Sequence, residues 1–363
     1  MTEQKKAPRL SACIIMRDAA EDIAECLESL VGLVDEFIVV DTGSVDDSRE
    51  IAAKYAGKVY EFPWRDDFSA AKNYAIEQAT GDWIIFLDSD EALTEDTRKN
   101  LRSVISLVEK KMDLIVVYRY NVCSDSRVPS REDDEAGRIF RRDPALRYHY
   151  TIHECLHFLD GRELRGVRIP PNLLAIWHKG YSPERVERKT WRNIKLLEEY
   201  RETGRPKLFL YYYLAAEYGD VGEYEKMAEF AEISVRQEDA PGGDASLPYR
   251  RLYEARQHLG DEEGTLCALE QAMGKFPGHP EFFAAYGKLL EKKGQHAEAL
   301  AALQRAAKHA KSFRDSSSKW KNRLPELYEE MAGICFRMGN APRAKSFRKK
   351  AEKERRSSFP PKK

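Results

Sequence analysis

The chain has 363 residues, 33% of them charged and 42% hydrophobic, and its 60 Lys and Arg against 61 Asp and Glu leave a formal net charge of -1. This is the composition of a globular protein with room for two or three domains, and it gives no global electrostatic reason to expect a nucleic-acid partner. No apolar run approaches the ~18 residues of a membrane span, Met1 to Arg9 lacks the apolar core of a secretory signal, and six scattered cysteines without a CxxC pair point to free thiols in the cytoplasm rather than a zinc site.

Leu10 to Met16 is a small apolar run and a candidate first strand. Ile23, Cys26, Leu27 and Leu30 then recur at helical spacing. Phe37 to Val40 reads as a second strand ending in Asp41-Thr42-Gly43-Ser44. Ser48 to Tyr55 is the next helix, Val59 to Phe62 a short third strand, and Phe68 to Ala79 a helix with Lys72 and Asn73 in its early turns. Ile84 to Leu87 is a fourth strand, apolar enough to be buried on both faces, and it runs straight into Asp88, Asp90 and Glu91. The alternation predicts an α/β domain with a mostly parallel sheet, whose ligands bind beyond the carboxyl ends of the strands. Asp41 and Asp88 then share one rim. Each has a plain alternative: Asp41 in a turn that caps the following helix, and Asp88 to Glu91 in an acidic turn before a helix opening at Thr94. Three acids after a buried strand are costly without a positive partner, and a divalent cation with a phosphorylated ligand would supply one.

Leu101 to Val108 continues a helix, Leu114 to Tyr118 is a strand, and Arg138 to Arg142 is another. Between them Val122 to Glu135 is polar and contains Pro129, either a solvent loop or a lid that orders on ligand binding. Ser182-Pro183-Glu184 opens a long helix to about Tyr200, and Arg201 to Pro206 breaks it. The predicted organisation is 1–205, an α/β domain; 206–355, an all-α array of helical repeats; and 356–363, a basic disordered tail. The repeats are read from Gly222-Glu-Tyr, Gly260-Asp-Glu, Gly294-Gln-His and Gly339-Asn-Ala, spaced by 38, 34 and 45 residues. The middle spacing is the ~34-residue period of tetratricopeptide repeats. Insertions at Ala240 to Asp244 and Phe313 to Asn322 absorb the excess of the other two. Ala272, Ala299 and Ala306 take the small-residue positions, and Tyr211, Tyr212, Tyr213 and Tyr218 read as core between helices. Such an array serves as a docking surface for a protein or glycan, a scaffold, or a homodimer interface. The basic residues from Arg343 to Lys363 allow weak contact with anionic lipid headgroups or an acidic partner, or simply a solvated last helix.

Three stretches together resemble a known family. Phe37-Ile-Val-Val-Asp-Thr-Gly-Ser-Val-Asp-Asp-Ser48, Phe62-Pro-Trp-Arg-Asp-Asp-Phe-Ser-Ala-Ala-Lys-Asn73 and Gly81-Asp-Trp-Ile-Ile-Phe-Leu-Asp-Ser-Asp-Glu91 are similar in order and spacing to family-2 glycosyltransferases of the GT-A fold. In particular they resemble the bacterial branch in which the catalytic domain is followed by tetratricopeptide repeats. The resemblance implies a nucleotide-sugar donor, foremost a UDP-sugar, and Mn2+ or Mg2+. Asp88-Ser89-Asp90 matches the family's DxD motif, with Asp90 as direct metal ligand and Asp88 toward the nucleotide. Asp41 matches the acid that reads uracil or ribose, Lys72 a basic residue facing the nucleotide, and the backbone from Ile14 to Met16 the wall of the base pocket, with Arg17 facing it. Ile152-His153-Glu154 matches an IHE element. Ile176-Trp-His-Lys-Gly-Tyr181 matches in part an H-Y-G-Y element, with Lys179 where the tyrosine stands. His178 would complete the metal shell; the alternative is a packed core histidine. Inverting transfer needs a general base near the acceptor. Glu154 is the candidate, Glu91 and Asp134 compete, and the bland alternative for Glu154 is an ion pair with Arg138 or Arg147. Against the enzyme stands a repeat-based adaptor with a catalytically inactive first domain.

Overall fold

The computed structural model describes residues 7–108, 111–123, 134–180, 183–205, 209–238, 244–313 and 319–358. The chain divides into two compact units, Met1–Thr203 and Gly204–Lys363. The expected loop around Pro129 lies largely outside the described residues, as does 359–363.

In the first unit β1 (Leu10–Met16) is buried at every position, because strands flank it on both edges and helices cover both faces. It pairs in parallel with β2 (Glu36–Asp41) and with β4 (Trp83–Asp88), and β3 (Val59–Glu61) extends the sheet beyond β2. The connecting helices are α1 (Ile23–Leu30), α2 (Ser48–Ala52) and α3 (Phe68–Gln78). Alternate side chains sort to the two faces. Leu10, Ala12, Ile14, Trp83, Ile85 and Leu87 join the core under α1, while Cys13, Ile15, Ile84 and Phe86 pack with Ala71, Ala75 and Ile76 of α3. Asp67 caps α3 by accepting from the Ala70 amide at 2.9 Å. The register sets Ile15 opposite Asp88 and Met16 opposite Asp41. The two acids therefore end the strands on either side of β1, at the point where the strand order turns back.

The other half of the sheet is less regular than the alternation predicts. The acid cluster leads into β5 (Glu91–Leu93) before Thr94 caps α4 (Glu95–Leu107), so Glu91 is a strand residue and not part of a free turn. β6 (Leu114–Asn121) runs three residues past the expected strand, and β7 (Asp134–Arg141) starts four residues before it. A two-stranded hairpin of β8 (Leu146–His149) and β9 (Cys155–Phe158) follows, then β10 (Gly166–Arg168) and β11 (Ala175–His178). The order is β3-β2-β1-β4-β7-β6-β11-β5, with β10 on β6. β7 is antiparallel to β4 and β6, and β11 is antiparallel to β5, placing His178 opposite Glu91. α5 (Pro183–Glu202) closes the unit.

The second unit is helical: α6 (Leu210–Asp220), α7 (Tyr224–Gln237), α8 (Leu247–His258), α9 (Glu262–Lys275), α10 (Pro280–Lys292), α11 (His296–Ala310), the short α12 (Lys319–Asn322), α13 (Leu324–Arg337) and α14 (Ala341–Ser358). α14 continues to Ser358, so the first three residues of the expected tail are helical. Gly222, Gly260, Gly294 and Gly339 lie between the members of four successive helix pairs with φ of 79°, 72°, 76° and 77°. In each turn the residue after the glycine donates its N–H to the carbonyl five residues back: Glu223 to Tyr218, Asp261 to Arg256, Gln295 to Leu290 and Asn340 to Cys335. This is the Schellman closure of a helix, and the left-handed backbone it needs favours glycine. Ala272, Ala299 and Ala306 are fully buried, as tetratricopeptide-like pairs require. Tyr218 stacks on Phe230 with ring centroids 5.6 Å apart, as a core position should, whereas Tyr212 and Tyr213 are half-buried. Gly294→Ala is expected to lower the unfolding free energy of this unit by about 1 kcal/mol, because nothing crowds the position and only the left-handed backbone is strained. Urea denaturation of the two proteins measures it.

Candidate active site

The rim at the carboxyl ends of β1, β2 and β4 is built by two groups of residues. In the first, Asp41 is buried and turns its carboxylate back into its own loop. It accepts from the Ser44 amide at 3.1 Å and from the Ser44 hydroxyl at 2.5 Å, with Arg49 Nε at 3.9 Å. Gly43, at φ 110°, lets that turn close. The loop after β1 is tied to it: the Thr42 amide donates to the Met16 carbonyl (2.9 Å), the Val45 amide to Asp18 (2.9 Å), and the Ala19 amide to the Ser48 hydroxyl (2.7 Å). Arg17 projects into solvent beside Asp18. The turn expected at Asp41 is therefore present, and it is tied to the end of β1 at Met16.

The second group is a chain of alternating charges. Glu154 Oε1 lies 2.5 Å from Lys72 Nζ, which also reaches Asp88 Oδ1 at 3.2 Å. Arg138 Nη2 stands 2.5 Å from both Asp88 Oδ2 and Glu91 Oε1. Arg119 continues the chain, 3.3 Å from Glu91 and paired through two nitrogens with Asp134 at 2.7 Å each. Asp90 stands apart, with Lys189 Nζ 2.7 Å from Oδ2 and His178 Nε2 3.6 Å from Oδ1. Among the described residues five carboxylates thus face four cations, which leaves the site one positive charge short of balance.

Burial in low dielectric sharpens these pairs. It would raise the Asp88 carboxyl, but Arg138 and then Lys72 hold that group well below the usual carboxylate range. It would lower the Lys72 ammonium, but Asp88 and Glu154 keep it above its ordinary value. Asp90 is likewise lowered, with Lys189 and then His178 opposing burial. His178 is lowered by burial, so its ring is neutral at neutral pH. Its Nδ1 lies 2.9 Å from Asn121 Oδ1, and its Nε2 turns toward Asp90. The imidazole and the carboxylate meet beside Gly180. A Cβ there would come within 2.6 Å of His178 Nε2 and 2.9 Å of Asp90 Oδ2.

The residues singled out from sequence separate accordingly. Asp88, Lys72 and Glu154 form one contiguous group, and Asp90 and His178 another immediately beside it. Lys72, which the resemblance sets facing a nucleotide, has a side chain 4% exposed that bridges Asp88 to Glu154. Glu154 pairs with Lys72 and not with the arginines considered for it. Glu91, weighed as a base, has a fully buried side chain held by two arginines, and Asp134 is held by Arg119. Arg119, Arg138, Asn121 and Lys189 were missed as site residues. Among the described residues no cluster of three or more His, Cys, Asp or Glu is arranged to hold a metal ion by protein ligands alone. A bound cation would rest on Asp90 and His178 plus oxygens of a ligand. An imidazole nitrogen and a carboxylate side by side, with the space kept by Gly180, fit that arrangement.

A family model described as glycosyl transferase family 2 matches residues 11–162. A TPR repeat-containing protein of Synechococcus elongatus is 35% identical over 196 residues, covering 50% of this chain and 44% of that protein. The prophage-derived glycosyltransferase SunS of Bacillus subtilis is 30% identical over 212 residues, covering 54% of this chain and 46% of its own length. The chain therefore spans about half the length of these curated relatives. An uncharacterized glycosyltransferase of Rickettsia felis is 27% identical over 178 residues, covering 39% of this chain and 62% of that protein. Among solved structures, a crystal structure of MamA aligns with 48% of this chain and 94% of its own at 15% identity and a TM-score of 0.40. No described helix is long and apolar enough to cross a membrane.

Proposed function

We propose, for a chain whose residues 11–162 are a family-2 glycosyltransferase domain and whose second unit is an array of tetratricopeptide-like helix pairs, that it transfers a sugar from a nucleotide sugar with inversion. The donor is a UDP-sugar, used where such donors are made, in the cytoplasm. The acceptor is a protein or a surface glycan recruited by the helical unit. The observation that carries this reading is the Asp90–His178 pair, meeting beside Gly180 next to the half-buried Asp88 on the carboxyl rim.

A divalent cation held there, Mn2+ or Mg2+, would neutralise the charge that grows on the departing nucleoside diphosphate. The chain's own residues do the rest. Asp41, its carboxylate held by Ser44, orders the loops that wall the end of β1, where a base and ribose would seat. Lys72 and Arg138 hold Asp88 ionised and fixed in place. Glu154, its side chain 14% exposed and oriented by Lys72, takes the proton from the attacking acceptor group. Arg119 and Glu91 stiffen the floor beneath them.

Release of nucleoside diphosphate from a panel of nucleotide sugars, with Mn2+ and with EDTA, tests the reading. At least one donor is expected to be hydrolysed slowly with Mn2+, and not with EDTA. If no donor binds or turns over, the enzyme reading is lost. Glu154→Gln is expected to lower acceptor-dependent transfer by about 10²- to 10⁴-fold while donor affinity stays within a few-fold, which separates a base from a donor contact.

A further inference from the structure

Lys189 lies on α5, 99 residues from Asp90 in sequence, yet its Nζ sits 2.7 Å from Asp90 Oδ2. A Cβ on Gly180 would come within 2.8 Å of that same Nζ, as it would of His178 Nε2 and Asp90 Oδ2. Ammonium, imidazole and carboxylate thus converge on one bare stretch of backbone. The other cations of the site are locked in. The side chains of Lys72, Arg138 and Arg119 are 4%, 9% and 18% exposed, and each serves two carboxylates. Lys189 is 35% exposed and makes one ion pair at the site, so it is the cation with room to swing away.

We propose that Lys189 is the resident counter-ion of Asp90, occupying the carboxylate until a divalent cation arrives together with a diphosphate, and then turning to the diphosphate. This rests on the metal-dependent reading above and deepens it. An ammonium and a divalent cation on one carboxylate repel each other, so the cation alone binds weakly. The negative charge of a diphosphate removes the conflict and gives Lys189 a new partner. Metal and nucleotide therefore strengthen each other's binding, by the same factor in both directions. The device keeps Asp90 neutralised when no substrate is present and discourages the metal from binding before the donor.

The test is Mn2+ titration of the full chain, with free Mn2+ read by electron paramagnetic resonance, without nucleotide and with UDP. For the wild type, weak binding of Mn2+ alone and about tenfold or greater tightening by UDP are expected. Lys189→Met and Lys189→Gln are expected to bind Mn2+ alone about tenfold more tightly, with the tightening by UDP reduced toward none. Lys189→Arg should keep the wild-type pattern. Adding Asp90→Asn to Lys189→Met should erase the gain, which assigns it to that carboxylate. Unchanged far-ultraviolet circular dichroism confirms that each variant is folded. If both neutral variants bind Mn2+ no more tightly than a wild type that does bind it with UDP, the counter-ion role is overturned and the metal site stands. If the wild type turns over a donor but binds no Mn2+ under either condition, the metal reading and the counter-ion role fall together.

Discussion

Asp90→Asn is expected to lower metal-dependent donor turnover by about 10³-fold or more, with the fold intact. The substitution keeps the shape of the side chain and removes the carboxylate that faces His178 Nε2 at 3.6 Å. With the anionic ligand gone, a divalent cation has only a neutral imidazole and the diphosphate itself to rest on, and its stabilisation of the leaving group is lost in the transition state. Stability should change little, because the pair that Asp90 forms is with Lys189, which is 35% exposed and readily solvated. Asp88→Asn makes the contrast. Asp88 holds the inner cations Lys72 and Arg138, so its loss should lower both turnover and the midpoint of thermal unfolding. Nucleoside diphosphate release and thermal unfolding, measured on both variants, decide the matter. An Asp90→Asn enzyme that keeps its Mn2+ response would remove Asp90 from the metal site.

What could be read from the sequence was what lies along it. β1, β2 and β4 are short apolar runs bounded by turn residues, and the acids at their ends are therefore on one rim in any parallel arrangement. The glycine turns of the second unit repeat with a period, so one physical need, a left-handed residue closing a helix, is visible four times. What could not be read was pairing across long separations. Lys72 looks like a lysine in an early helical turn; only the packing of α3 over β4 and the Glu154 loop makes it a buried bridge. Arg138 belongs to a strand whose alternation was legible, but its side chain faces Asp88 because β7 enters antiparallel beside β4. β5 was read as the run-up to a helix because its three residues are too few to show a period, and its partner β11 lies more than 80 residues away. The charge chain is thus a product of topology and has no local signature.

Arg138→Met should unfold the first unit at a temperature lower by roughly 10 °C, a loss of about 3–5 kcal/mol. The guanidinium is buried and serves two carboxylates at 2.5 Å each, and the Glu91 side chain is fully buried. Methionine fills much of the volume, so the cost is electrostatic: Glu91 keeps Arg119 at 3.3 Å, and Asp88 keeps Lys72 at 3.2 Å, but both lose their closest cation. Replacing Glu91 by Gln in the same protein should recover part of the loss, since one uncompensated buried charge is removed. The pH dependence identifies the cause. Burial works to raise the Asp88 carboxyl, and Arg138 first, then Lys72, hold it well below its ordinary value instead. A carboxyl depressed in the folded state contributes stability that is present above its unfolded pKa of about 3.9 and is lost as pH falls from there toward the folded value. Part of the wild-type advantage over Arg138→Met should therefore be full at neutral pH and shrink in acid as Asp88 protonates in the variant, where burial is no longer opposed by the guanidinium. Denaturation of both proteins in urea at pH 7, 5 and 3.5 measures the difference. A gap that stays constant across that range would mean that Arg138 stabilises the sheet by packing and that the charge chain contributes nothing to it.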